Sequence, residues 1–234
     1  MINSQPPRSG GRDQAAAHRP PAQEFTRSMI QPHEALDRLR EGNRRFLSNV
    51  GRDSVIASEA RRHDLPQDHN PFAIILGCSD ARVPAEIVFD QGLGDLFVIR
   101  VAGNIVAPSQ VGSVEFAAER FGTRLVVVLG HSQCGAVLAT IEELRRPTEG
   151  QSPNLRSIVD RVRPAIEPLM ETARRDEDPA LLEHRAVRAN IRAAVDQLRH
   201  GSRLLEGLIE TEGLRVVGAE YSLETGAVEF FEGA

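Results

Sequence analysis

Five residues of this 234-residue chain have types and spacings that suit one reaction centre: Cys78, Asp80, Arg82, His131 and Cys134. The first three stand in Gly77–Pro84 (GCSDARVP) and the last two in Gly130–Gly135 (GHSQCG). Two thiolates and one imidazole suit zinc. The His131-x-x-Cys134 spacing lets one tight turn present both ligands to a single ion. Three protein ligands leave a fourth position open, the mark of a catalytic rather than a structural site. Cys78 and Cys134 are the chain's two cysteines, so a structural set of four cysteines, or of three with a histidine, cannot be assembled. Asp80 is close enough to Cys78 to do one of two things. It can ligate the ion and close the site, or it can pair with Arg82, whose planar fork grips a carboxylate with two hydrogen bonds. Zinc lowers the pKa of a bound water to about 7, so a small apolar electrophile would meet hydroxide there near neutral pH. Val83, Phe97 and Phe116 are expected as apolar walls. Taken singly, each of these residues has a plainer reading: a buried free thiol, a hydrogen-bonded histidine, a solvated ion pair. Their conjunction favours a metal site. Ser79 and Ser132 lack a partnered base, and the QGLGD stretch with Gly92 and Gly94 lacks the context of a nucleotide loop.

Positioning these groups requires strands that end at them. Phe72–Gly77 (FAIILG) and Leu125–Gly130 (LVVVLG) are short, nearly continuous apolar runs, as expected of strands buried on both faces. Cys78 follows the first directly and His131 the second. Leu96–Val101 and Leu214–Tyr221 read as two further strands, and Ala227–Phe231 as an antiparallel edge strand after a turn at Glu224, Thr225 and Gly226. Helical periodicity marks Pro32–Asn49, Ser113–Arg120, Leu155–Arg175, Leu181–His200 and Leu204–Thr211. Pro164 and Pro168 predict a kink or a split in the third of these. Strands alternating with helices predict an α/β fold: a mostly parallel central sheet of four strands plus an antiparallel edge strand, flanked by helices, with an N-terminal helical arm. Ligands bind outside the carboxyl ends of the strands in such sheets.

Composition narrows the class. Lys and Arg number 28 against 33 Asp and Glu, a net charge of −5, which gives no electrostatic footprint for nucleic acid. No basic amphipathic helix suggests a membrane surface, and no apolar run has transmembrane length. With no Trp, one Tyr and nine Phe, the core must rest on Leu, Ile, Val and Ala. Two cysteines are not a disulfide framework and fit a reducing, cytoplasmic setting. Residues 1–28 have neither periodicity nor the apolar stretch of a secretory signal, and are expected to be a disordered tail ahead of one domain spanning 29–234.

The motifs CSDARV, DQGLGDLFVIRVAGN (Asp90–Asn104), GSVEFA (Gly112–Ala117) and VVVLGHSQCGAV (Val126–Val137) resemble the bacterial β-class carbonic anhydrases. EGNRRF (Glu41–Phe46) and VVGAEYSLETGAVEF (Val216–Phe230) are also similar, so the resemblance runs from about residue 30 to the end. It implies zinc on Cys78, His131 and Cys134, an Asp80–Arg82 catalytic dyad, and reversible hydration of carbon dioxide to bicarbonate and a proton by zinc-bound hydroxide. His69, Val83, Phe97, Gly103 and Phe116 are the expected substrate pocket. It further implies a homo-oligomer, a dimer or dimer of dimers, with the active site beside the interface and the N-terminal helix reaching toward the partner. Three positions depart from the pattern. Ala81 replaces a Ser between the dyad residues. His69 stands where plant-type members place Gln. Ile75, with Arg100 and Tyr221, stands where some bacterial members place the Trp of a second bicarbonate site that drives Asp onto zinc, so the expectation is an open site with Asp80 on Arg82. Hydrolysis of carbonyl sulfide or carbon disulfide at the same site, or a zinc-binding homologue without catalysis, are the alternatives.

Overall fold

The computed structural model describes residues 30–48, 70–147, 150, 152–172 and 177–234. The expected tail at 1–28, the irregular stretch up to residue 69 and His69 itself lie outside the described residues.

Five strands form one sheet in the order β2-β1-β3-β4-β5. They are β1 (Ala73–Gly77), β2 (Leu96–Arg100), β3 (Leu125–His131), β4 (Arg215–Tyr221) and β5 (Val228–Glu232). The first four pair in parallel, and β5 runs antiparallel to β4 with a bulge at Gly218/Ala219. The apolar runs are continuous because both sheet faces are covered: every residue of β1 and β3 is buried. From β1 the chain passes to β2 on one side and later to β3 on the other. The carboxyl ends of β1 and β3 therefore flank the switch point, where an open α/β sheet has its crevice.

Five helices belong to one face: α3 (Pro108–Arg120), α4 (Gly135–Arg145), α5 (Pro153–Thr172), α6 (Pro179–His200) and α7 (Arg203–Glu212). Val187, Ile191, Ala194, Val195 and Leu198 form the buried stripe of α6 as their spacing predicts. In α5 the structure departs from expectation. Pro164 and Pro168 neither split nor end the helix, which runs unbroken across both. They lie four residues apart on its exposed side, while Val159, Val162 and Ile166 hold the opposite side in the core. Helix α4, its first turn beginning at Gly135, has no counterpart among the expected helices.

The other face is covered by α1 (Pro32–Ser48) and the single turn α2 (Ala85–Val88). The N-terminal helix, expected as an arm toward a partner, is seated on its own chain. Ala35, Leu36 and Leu39 are buried in the sheet-face core. Asn43 Nδ2 donates to the carbonyls of Val88 and Gly226, and Asn43 Oδ1 accepts from the Val228 amide. Arg45 pairs with Asp90 at 2.6 Å.

Candidate metal centre

In the parallel register Gly77 lies opposite Leu129, so Cys78, one residue further on, is level with Gly130 and next to His131. The chain turns sharply after His131 through Gln133, whose φ is 55°. It re-enters a helix at Cys134, which is the N-cap of α4. That places Cys134 at the positive end of an 11-residue helix, a position that favours a thiolate. The Sγ atoms of Cys78 and Cys134 and a ring nitrogen of His131 all lie within 4.8 Å of one another, and all three residues are buried.

The hydrogen bonds around this trio leave its donor atoms facing inward. His131 Nδ1 stands 2.8 Å from the Ser132 carbonyl, so that nitrogen carries the proton and Nε2 keeps its lone pair. Nε2 is buried with no hydrogen-bond partner. A buried nitrogen lone pair beside two sulfurs is otherwise costly, and a cation between the three satisfies it. The Cys134 thiol beside it draws the Cys78 thiol well below its usual pKa, against the opposing effect of burial; His131 and the backbone of Asp80 and Gly103 add to the lowering. Cys134 is correspondingly pushed up by Cys78 and by burial. Burial lowers the His131 pKa, but the adjacent Cys78 more than offsets this and the net shift is upward. A soft divalent ion would take both thiols to thiolates. Donor types, burial and mutual distances fit such an ion.

Asp80 and Arg82 lie at the rim. Arg82 Nε and Nη2 donate to the two carboxylate oxygens at 2.9 and 2.8 Å, and the Arg82 amide adds a third bond at 3.0 Å. These bonds hold the Asp80 carboxyl well below the usual carboxylate range. Its Oδ2 stands 3.9 Å from His131 Nε2, so the carboxylate borders the trio while its hydrogen bonds go to Arg82.

Arg100 and Gly103, which the sequence analysis named for other roles, and Asn190, which it did not name, brace the arrangement. Arg100 donates to the carbonyls of Cys78 at 3.0 Å and Asp80 at 2.5 Å, bracing the loop that carries Cys78, Asp80 and Arg82. Gly103 donates its amide to Cys78 Sγ at 3.4 Å, and Asn190 of α6 donates to the Gly103 carbonyl at 2.8 Å. Gly103 has a φ of 69°, and a Cβ there would come within 2.9 Å of Ala136 Cβ. Asn190 was detectable as a lone amide on an otherwise apolar helix stripe. The bracing role of Arg100 had no local signal, because its partners are carbonyls 20 and 22 residues upstream.

The expected pocket residues are dispersed. Val83 is buried in the core of the α1 face. Phe97 pairs with Ile74, four residues before Cys78, which at about 3.3 Å per residue sets it roughly 13 Å back from the strand end. Phe116 is 55% exposed and packs with Phe97 and Phe121 at centroid separations of 6.2 and 5.8 Å. Of the three residues of the second-site pattern, Ile75 and Tyr221 are buried in the sheet-face core, and Arg100 is engaged as above.

A family model described as carbonic anhydrase matches residues 73–228, a span that contains Cys78, Asp80, Arg82, His131 and Cys134. The chain belongs to the β-class carbonic anhydrase family of enzymes. It is 37% identical over 200 residues to the carbonic anhydrase of Mycolicibacterium smegmatis, covering 85% of this chain and 92% of that one. Carbonic anhydrase 2 of Mycobacterium tuberculosis is 36% identical over 198 residues, covering 83% and 90%. Among solved structures, the β-carbonic anhydrase CcaA superposes with a TM-score of 0.65 at 25% identity, covering 85% of this chain and 92% of that one. No described helix of this carbonic anhydrase is long and apolar enough to cross a membrane.

Proposed function

We propose that the chain catalyses the reversible hydration of carbon dioxide to bicarbonate and a proton, with zinc held by Cys78, His131 and Cys134. The observation that carries this reading is the convergence of three buried donors within 4.8 Å, bordered by a carboxylate already committed to an arginine. Zinc in that position supplies a Lewis acid and lowers the pKa of water to about 7. The chain's own residues do the rest. Asp80, kept ionised by Arg82, acts only as an acceptor. Its Oδ2 takes a hydrogen bond from the attacking water and so aims an oxygen lone pair at the carbon of the substrate. Arg82 fixes the carboxylate against rotation toward the ligands, which keeps the site open. Gly103, whose amide reaches Cys78 Sγ, borders this space, His69 is proposed as a further pocket residue, and the released proton passes to solvent at the exposed rim.

The enzyme is proposed to act as a homo-oligomer in the cytoplasm. The aromatic face of Phe97, Phe116 and Phe121 lies too far back to serve its own centre. An exposed apolar cluster of this kind marks a contact surface, and in a dimer it would line the site of the partner.

Stopped-flow hydration of carbon dioxide, on protein of measured zinc content between about pH 6.5 and 9, tests the proposal. Turnover that tracks zinc content is the expected result. One zinc per chain without turnover would reject it. Hydrolysis of carbonyl sulfide or carbon disulfide by that same protein would then replace the substrate assignment, and inactivity toward all three would indicate a non-catalytic zinc protein.

A further inference from the structure

Ser132 and Gln133 occupy the two positions between His131 and Cys134, so the turn they make sets where both ligands sit. Each side chain is held from outside the turn by one residue. Glu224, between β4 and β5, accepts from Ser132 Oγ at 2.8 Å through Oε2 and from Gln133 Nε2 at 2.6 Å through Oε1. Oε2 also accepts from Ser222 Oγ at 3.0 Å. Ser132 Oγ in turn accepts from the Leu223 amide at 3.0 Å, and the Ser132 amide donates to the Tyr221 carbonyl at 3.0 Å. Gln133 has the left-handed φ of 55°, a conformation that is strained for a non-glycine residue and needs outside support. The Gln133 carbonyl also accepts from Arg82 Nη2 at 3.4 Å. The hydrogen bonds from Ser132 first, then those from Gln133 and Ser222 and a backbone contact of its own, hold the Glu224 carboxyl at about 2. It is therefore an acceptor at neutral pH, and the Gln133 amide must present its NH2 group to it.

An exposed carboxylate on a surface turn contributes little to global stability. This one applies both oxygens to the only two residues that separate two ligands, from a turn some 90 positions downstream. We infer that Glu224 is a positioning residue of the metal centre: it holds the His131–Cys134 turn in ligating shape and, through the Gln133 carbonyl, seats Arg82 of the dyad. The inference rests on zinc being bound by Cys78, His131 and Cys134. Outer partners that orient a ligand commonly alter metal affinity 10- to 100-fold when removed.

The test is zinc release from the full-length, zinc-loaded protein into a chromophoric chelator, compared for wild type, Glu224→Ala and Glu224→Gln. Release about 10- to 100-fold faster is expected for Glu224→Ala. Glu224→Gln should be intermediate, since its single oxygen serves Ser132 or Gln133 but not both. With cobalt in place of zinc, the visible ligand-field absorption of Glu224→Ala should change in shape, which a general loosening of the fold away from the ligands would not cause. Equal release rates with superimposable cobalt spectra would overturn the inference. Where Glu224→Ala does not fold, Gln133→Asn serves instead, because Asn tolerates the left-handed backbone and is too short to reach Glu224. Wild-type protein that binds no zinc would overturn the metal assignment itself, a result distinct from a zinc-binding wild type that is indifferent to Glu224.

Discussion

Arg82 gives Asp80 three hydrogen bonds, and this fixes both the charge and the direction of the carboxylate. Asparagine at position 80 keeps one acceptor oxygen but turns a second donor toward the guanidinium. Asp80→Asn should therefore lower kcat roughly a hundredfold or more, with zinc content unchanged, as read by stopped flow and metal analysis. The pH dependence follows from the sign of the shift. A carboxyl whose folded pKa lies below its unfolded value stabilises the fold above the unfolded value, and that contribution disappears as pH falls through the folded one. The Asp80 carboxyl is depressed from 3.8 by Arg82, so it costs no stability between pH 7 and 5. Below about pH 4 the melting temperature of wild type should fall more steeply than that of Asp80→Asn. Identical acid slopes would show that the pair contributes nothing to folding.

At the scale of elements, α1 approaches the chain closely at Gly42. A Cβ on Gly42 would meet the Phe89 carbonyl oxygen at 1.8 Å, a contact with backbone that no side-chain rotation relieves. The neighbouring Asn43 joins α1 to the end of α2 and to the β4–β5 turn. Gly42→Ala should therefore destabilise the chain by roughly 1–3 kcal/mol or more through displacement of α1. That corresponds to a melting temperature lower by about 3–10 °C, measurable by calorimetry. Because α1 bears on the turn that holds Glu224, zinc release should also quicken in this variant. An unshifted melting curve would mean that the helix seats differently from the arrangement described.

For the whole molecule, the relevant feature is the aromatic cluster of Phe97, Phe116 and Phe121 on the α3 side. Phe116, at 55% exposure, leaves a large apolar ring in water. Phe116→Glu should shift the light-scattering mass from at least twice the chain mass of 25.7 kDa toward that single-chain value, and should reduce turnover with the zinc site intact. A wild type already at 25.7 kDa would remove the basis for a shared site.

The strands that end at Cys78 and at His131 were legible in the sequence alone, since an apolar run of five or six residues followed by Cys or His is a local pattern with a local cause. Cys78, His131 and Cys134 were likewise legible as a candidate donor set, because two cysteines and one suitably spaced histidine leave few combinations. The unbroken course of α5 through Pro164 and Pro168 was decided by tertiary packing. Val159, Val162 and Ile166 anchor the side opposite the prolines, and burial of that stripe outweighs the local disruption. The sheet order was also a tertiary outcome, because it depends on which side of β1 each crossover returns to. So was the bracing of the centre by Arg100, Asn190 and Glu224. Their partners lie from 20 to 92 residues away in the chain, and hydrogen bonds of that range leave no periodicity to read; they form only after the sheet has brought the strand ends together.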